Sequence, residues 1–223
     1  MCAHTKHTRS NLWWPAILSV GLIIVLSCGK KTDTEATAEM ENLSDDSLCI
    51  LAAQKIASAH AQDLKSELVS ALAQGGPAGA ITVCRTKLPE IAFKHAEPGV
   101  LSVKRVSDRN RNPKNAAGPE ALGLLAQFRD STGMPRDYVR FWHSDGDRKL
   151  FTYYQPIFAG PVCLNCHGAI ESLEPEVRET LRVNYPDDKA TGYQVDDLRG
   201  LFVVKIVFPE GRKMALNIIA EGT

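Results

Sequence analysis

Five residues hold the densest chemistry in the chain: Cys163, Leu164, Asn165, Cys166 and His167, inside the stretch GPVCLNCHGAI. A CxxC pair followed directly by His serves three known chemistries. Two thiols and an imidazole can supply part of a zinc site, but such a site takes four ligands, and no second CxxC or HxxxH is present to complete it. A redox dithiol uses the cysteines and leaves the His without a role; its usual place is early in a βαβ unit, whereas this pair falls in the last third of the chain. Attachment of haem c employs all three residues, the thiols adding to the vinyl groups and the His ligating iron from one face. The reading is therefore one covalent haem c on Cys163 and Cys166, with His167 as proximal ligand. A disulfide or zinc protein is the alternative.

Covalent attachment of that kind is made outside the cytoplasm, and the N-terminus supplies the address. MCAHTKHTRSNLWWPAILSVGLIIVLSC carries Lys6 and Arg9, then an apolar run from Leu12 to Leu26, then small residues, which is the order of a secretory signal. The apolar run is short for a spanning helix, although an uncleaved anchor is the competing reading. Val25-Leu26-Ser27-Cys28 resembles a lipoprotein cleavage site with lipidation at Cys28. Residues 1–27 are thus expected to be a signal peptide, 28–43 a polar flexible tether, and 44–223 a folded domain. The expected location is periplasmic, with a lipid anchor in a bacterial membrane.

Composition bounds the class without deciding it. The 223 residues are 44% hydrophobic and 23% charged, ordinary for a globular domain. Twenty-six basic residues balance twenty-six acidic ones, so no bias toward nucleic acid is visible. Cys49 and Cys84 are the remaining domain cysteines, and a disulfide between them is one expectation to be tested.

The positioning elements follow from pattern. Ser44 to Ala73 has apolar residues at helical spacing and stops at Gly75-Gly76-Pro77; Ala78 to His95 reads as a second helix, carrying Cys84, with a kink expected at Pro89. Val100 to Ser107 alternates like a strand, Pro119 opens a third helix, and Lys149 to Phe158 is a strand leading into the CxxCH. LFVVKIVF and KMALNIIAE, joined by Pro209-Glu210-Gly211, read as a terminal hairpin, which places Met214 in a strand. The expected fold is α+β with a small antiparallel sheet. Tyr153 and Tyr154 precede the CxxCH on opposite faces of their strand, so one of them, taken as Tyr153, is expected to face the ring. Tyr193, in TGYQVDDLRG, is read as part of a lid over the ring edge. Arg105, Arg109, Arg111 and Lys114 form a cationic segment able to hold carboxylates. His60, His95 and His143 are lesser candidates to face iron.

Four stretches, AITVCRTKLPEIA, RVSDRNRNPKN, YYQPIFAGPVCLNCHG and YPDDKATGYQVDDLRGLF, occur in an order and spacing that resemble a known family: periplasmic monohaem c-type proteins with a PAS-like haem domain, found alone in cyanobacteria and other bacteria or as the input half of histidine kinases. Leu88 stands where the family usually has Ala. The resemblance implies a PAS-like sheet flanked by helices and implies Cys84 as the second axial ligand. It also points to Arg105 and Arg111 as the partners of the haem propionates.

No Ser/His/Asp set, acid/base carboxylate pair or phosphate loop is visible, so the chain is expected not to be an enzyme. The functional reading is a redox or diatomic-gas sensor, for CO or NO, working through an exchangeable Cys ligand. With no output domain up to Thr223, it is expected to act through a separate signalling or redox partner. An electron-transfer cytochrome is the alternative.

Overall fold

The computed structural model describes residues 42–95, 99–130 and 137–220. The signal segment, Cys28 and most of the tether lie outside these residues.

Helix α1 (Asp45–Lys94) starts where Ser44 caps it: the Ser47 amide donates to Ser44 Oγ at 3.2 Å, and Asp45 and Asp46 occupy the first turn. Acidic side chains there oppose the positive end of the helix dipole. Helical geometry fails only at Gly75 and Gly76, where Gly76 takes φ +60°, a left-handed conformation that costs glycine nothing. The chain folds back at that point into two arms. Lys94 Nζ and His95 Nε2 both reach Asp63 Oδ2, at 2.9 and 3.0 Å, so the end of the second arm lies against the middle of the first. The two helices expected from the pattern are these arms, and the backbone keeps helical angles through Pro89.

Four antiparallel strands follow: β1 (Val100–Val106), β2 (Val139–Asp145), β3 (Arg148–Phe158) and β4 (Leu198–Phe208), in the order β1-β4-β3-β2. Alternation along β3 and β4 divides their side chains between two cores. Phe151, Tyr153, Val204 and Ile206 face the first arm of α1 and helix α5 (Glu210–Ala220). Tyr154, Leu201 and Val203 face helix α2 (Pro119–Asp130), packing on Leu124, Leu125 and Phe128. A fully buried Phe151 alone contributes about 1.5–3 kcal/mol of transfer free energy. The fold is α+β, as expected.

Three local assignments change. KMALNIIA lies in helix α5 rather than a strand: Gly211, Met214, Ala215 and Ile219 are buried at helical spacing, and Lys55 Nζ caps the C-terminal carbonyls of Ile218 and Ile219 at 3.3 and 2.8 Å. Met214 is consequently a core residue beside α1. Strand β2 was not expected from the sequence; it closes a two-residue hairpin onto β3 with Asp145 opposite Arg148 and Gly146 at φ +60°. Helix α4 (Pro175–Asn184) was also not expected, and its Val177 and Leu181 pack on Ala78 and Ile81 of the second arm of α1. Among the described residues no helix is long and apolar enough to cross a membrane.

Candidate functional site

Strand β3 ends at Phe158 and delivers the chain into a 3-10 turn, Pro161–Cys163, followed by the single turn of helix α3 (Leu164–His167). Pro161 starts the turn with its dihedral already set, and the Gly168 amide closes α3 on Leu164 O at 3.0 Å. A side chain at Gly168 would place its Cβ 2.8 Å from that same carbonyl, so the tight exit requires glycine. Cys163 Sγ accepts from the Gly160 amide at 3.4 Å, and Cys166 Sγ donates to Pro77 O at 3.8 Å, at the head of the second arm of α1.

His167 is held from the loop 185–197. Its Nδ1 lies 2.6 Å from Ala190 O, its own carbonyl accepts from the Tyr193 amide at 2.9 Å, and the Gly192 amide donates to Gly168 O at 2.7 Å. A carbonyl oxygen only accepts, so Nδ1 carries the proton and Nε2 keeps its lone pair. Enclosure of the ring, reinforced by the Arg111 and Arg199 cations, pushes its pKa well below the usual histidine value, so the ring is neutral. A neutral imidazole with Nδ1–H bonded to a carbonyl is the form in which histidine ligates a metal.

Arg111 locks this loop rather than serving a ligand. Its Nε donates to Asp188 Oδ2 at 3.0 Å, and one terminal nitrogen donates to Cys166 O at 2.6 Å and to Ala190 O at 3.4 Å. Asp188 Oδ1 in turn accepts from the Ala190 amide at 2.8 Å. The guanidinium expected to meet a propionate is thus engaged with the backbone that carries the CxxCH, because YPDDKATGY crosses directly over it.

Arg105 behaves in the opposite way. It makes no hydrogen bond or ion pair among the described residues, yet it lies within electrostatic reach of Cys84 and Cys163. Burial, with the nearby Arg199 charge, lowers its pKa to about 10, which leaves it cationic at neutral pH. An enclosed, unpaired guanidinium is an acceptor-seeking group, suited to a carboxylate. Tyr193 is buried with Arg109 Cζ 4.0 Å above its ring and Arg199 Cζ at 5.2 Å, and its ring stands perpendicular to His167 with centroids 6.2 Å apart. Its hydroxyl is buried without a well-formed hydrogen bond among the described residues. Arg109 also donates to Thr191 O, and Arg199 donates to Arg109 O at 3.2 Å. Arg199 carries little signal in the sequence: it is a basic residue in the second position of a strand whose other charged residue is Lys205.

Cys84 projects from the second arm of α1 within electrostatic reach of Cys166, Arg105 and Arg111. Burial raises its thiol pKa, with Arg105 opposing. Cys49, Cys84, Cys163 and Cys166 are all free thiols, and Cys49 is fully buried in the core, so the Cys49–Cys84 disulfide is not formed. Among the described residues no group of three His, Cys, Asp or Glu converges as zinc requires.

Other candidates are placed elsewhere. Tyr153 stacks on Tyr138 with centroids 5.2 Å apart, and its hydroxyl donates to Gln155 Oε1 at 3.1 Å, within the core under α1. About 17 Å of extended strand separates it from Phe158, where β3 turns toward the CxxCH, so it is not brought to the site. Tyr154, on the other face, donates to Glu120 Oε2 at 2.6 Å. His143 pairs with the same Glu120 at 3.5 Å. His60 and His95 meet between the arms of α1.

The four stretches quoted from the sequence therefore meet at one place: Cys84 from α1, Arg105 from β1 with the loop after it, the CxxCH, and the loop that bonds His167. The crystal structure of the cyanobacterial haem protein Tll0287 is similar over 75% of this chain and 99% of its own, with 24% sequence identity and a TM-score of 0.48. No curated protein matches the chain. A family model described as Tll0287-like matches residues 33–207, a span that takes in all four of these stretches, and the chain belongs to that family.

Proposed function

We propose that this chain carries one haem c, bonded through Cys163 and Cys166, with His167 Nε2 as proximal ligand and the Cys84 sulfur as distal ligand. We further propose that it acts as a non-enzymatic redox or diatomic-gas sensor, held in the periplasm by lipid on Cys28. The observation that carries the haem reading is the locked tautomer of His167, whose Nδ1 proton is given to Ala190 O and whose Nε2 lone pair is thereby kept for iron. The fit extends to the charges: Arg105 has no anion of its own among the described residues, and a propionate supplies one. Arg111 and Asp188 hold the loop that orients His167, while Tyr193, steadied by Arg109 and Arg199, closes the side next to it. Haem bound here supplies a one-electron couple and an iron site that a diatomic ligand can reach. With haem held here, Cys84 would be the exchangeable ligand that governs access of CO or NO, and its thiolate, a strong anionic donor, would favour ferric iron. A separate redox or signalling protein is the partner, and the balanced charge of the chain gives nucleic acid no foothold.

The test is expression with periplasmic cytochrome maturation, then a haem stain on a denaturing gel and spectra of both oxidation states with and without CO and NO. Cys163→Ala with Cys166→Ala must abolish the stain; retained covalent haem ends the reading. Cys84→Ala must shift the ferric spectrum with haem still attached. Fast electron self-exchange without gas binding would favour an electron carrier. Cys28→Ala must release the domain from membranes without loss of haem, and a variant that stays through a carbonate wash indicates an uncleaved helix instead.

A further inference from the structure

Among the described residues, His60 is the buried histidine that neither the core packing nor the CxxCH site accounts for. It is 2% exposed, and its Nδ1 has no hydrogen-bond partner among the described residues. An imidazole nitrogen buried in that way is costly to keep. Its ring stands on edge against His95, with centroids 5.4 Å apart, and against Phe202 of β4 at 5.7 Å. Phe202 is the register partner of Arg105 on β1, so His60 lies over the pair that ends in the unpaired guanidinium. The groups facing it are few. Asp63 lies one turn along its own helix arm, His95 comes from the end of the second arm, Arg105 comes from β1, and β4 contributes only the apolar Phe202. His95 Nε2 meets Asp63 Oδ2 at 3.0 Å, and the Asp63 side chain is one-third exposed, so the cluster runs from solvent to the interior.

We propose that His60 is a redox-linked proton site: when the CxxCH centre gains one electron from a one-electron donor protein, the neutral His60 ring takes one proton from solvent by way of Asp63 and His95, and returns it on oxidation. This rests on the haem reading above. Arg105 is the electrostatic link, since it acts on His60 and also on Cys84, Cys163 and His167. In the chain without haem, His60 is pushed down to about 4, by burial first and then by the Arg105 and His95 charges, with Asp63 opposing. A carboxylate on Arg105 weakens that repulsion, and a further negative charge in the pocket weakens it more, so protonation of His60 is easier in the reduced protein than in the oxidised one.

The experiment is the midpoint potential of the holoprotein from pH 4 to pH 9, for the wild type and for His60→Gln. In the wild type the potential should fall as pH rises through the interval between the two His60 pKa values. The slope there approaches about 59 mV per pH unit, the one-electron equivalent of a tenfold change. Reduction in weakly buffered solution with a pH dye should take up close to one proton per electron in that interval. His60→Gln should retain stained haem and the ferric spectrum while losing both the slope and the proton uptake. A wild-type potential independent of pH, or a variant that keeps the wild-type slope, overturns the proposal. Should the variant fail to fold, ring-labelled histidine NMR of the wild type decides: a higher His60 pKa in the reduced state supports the proposal, and equal values in both states refute it. Absence of covalent haem in the wild type removes the haem reading and this proposal together, whereas haem with a pH-independent potential removes this proposal alone.

Discussion

Replacing Arg111 tests the architecture of the site most directly. Its guanidinium and the Asp188 carboxylate are 12% and 10% exposed and 3.0 Å apart, and Arg111 also donates to Cys166 O at 2.6 Å. At an effective dielectric of about 20, two unit charges at that separation attract by roughly 5 kcal/mol, most of it offset by the desolvation of both. Removing only the cation leaves Asp188 buried without its partner, and loss of one member of such a pair costs about 3–5 kcal/mol. Arg111→Met should therefore lower the melting temperature by about 6–20 °C, at 2–4 °C per kcal/mol for a domain of this size. Arg111→Lys retains the charge but cannot reach Asp188, Cys166 O and Ala190 O together; it should cost about 1.5–3 kcal/mol, the value of a charge-assisted hydrogen bond. Arg111→Met with Asp188→Leu removes both charges, and its cost should fall short of the sum of the singles by about 2 kcal/mol or more. Urea unfolding followed by far-ultraviolet circular dichroism reads all three values. A cost for Arg111→Met below about 1 kcal/mol, or strict additivity in the double variant, would refute the reasoning.

Three further outcomes are expected. Gly200→Ala sets a Cβ 2.5 Å from Val106 O and must push β1 from β4, a loss of about 1–3 kcal/mol readable in the same unfolding assay; a wild-type midpoint would sink the claim. The Cys49 thiol, fully buried and pushed up to about 12, should resist iodoacetamide at neutral pH in the folded protein and react on unfolding, as mass spectrometry will show; rapid labelling without denaturant contradicts the packing. In the haem-free chain, His60 titrates near pH 4 when folded against about 6.5 when unfolded, so the unfolded state binds more protons between those values. The stabilisation is then complete above about pH 6.5 and falls by about 3 kcal/mol as pH drops to about 4, a slope that His60→Gln should reduce and that an unchanged slope in the variant would disprove.

The CxxCH and the two-armed helix were legible because their signals are local: three residue types at fixed spacing, and a pair of glycines interrupting an apolar period of 3.6. The last element was misread for a physical reason. In KMALNIIAE, Met214, Ala215, Leu216, Ile218 and Ile219 satisfy a strand and a helix almost equally, and the buried set at positions 211, 214, 215 and 219 is recognisable only once α1 supplies the surface that it packs on. Strand β2 was hidden because both faces carry bulky rings, Phe141 on one and Trp142 on the other, leaving no alternation to read.

Arg105 and Arg111 show the deeper limit. They have the same chemistry and stand six residues apart, yet one is spent on Asp188 and the carbonyl of Cys166 while the other has no partner among the described residues. What separates them is the path of the loop 185–197, which crosses Arg111 and not Arg105. The same loop fixes the tautomer of His167 through Ala190 O, a backbone atom that any residue at position 190 could present. Residue types thus announce which groups are able to bind iron and carboxylate. Which of them remain available is decided by backbone carbonyls, and those leave no trace in the one-letter code. For that reason the Arg111→Met variant should disturb His167 as well as stability: freeing the loop loosens Ala190, and a ferric spectrum that alters in step with the lost stability is the signature of a positioning residue.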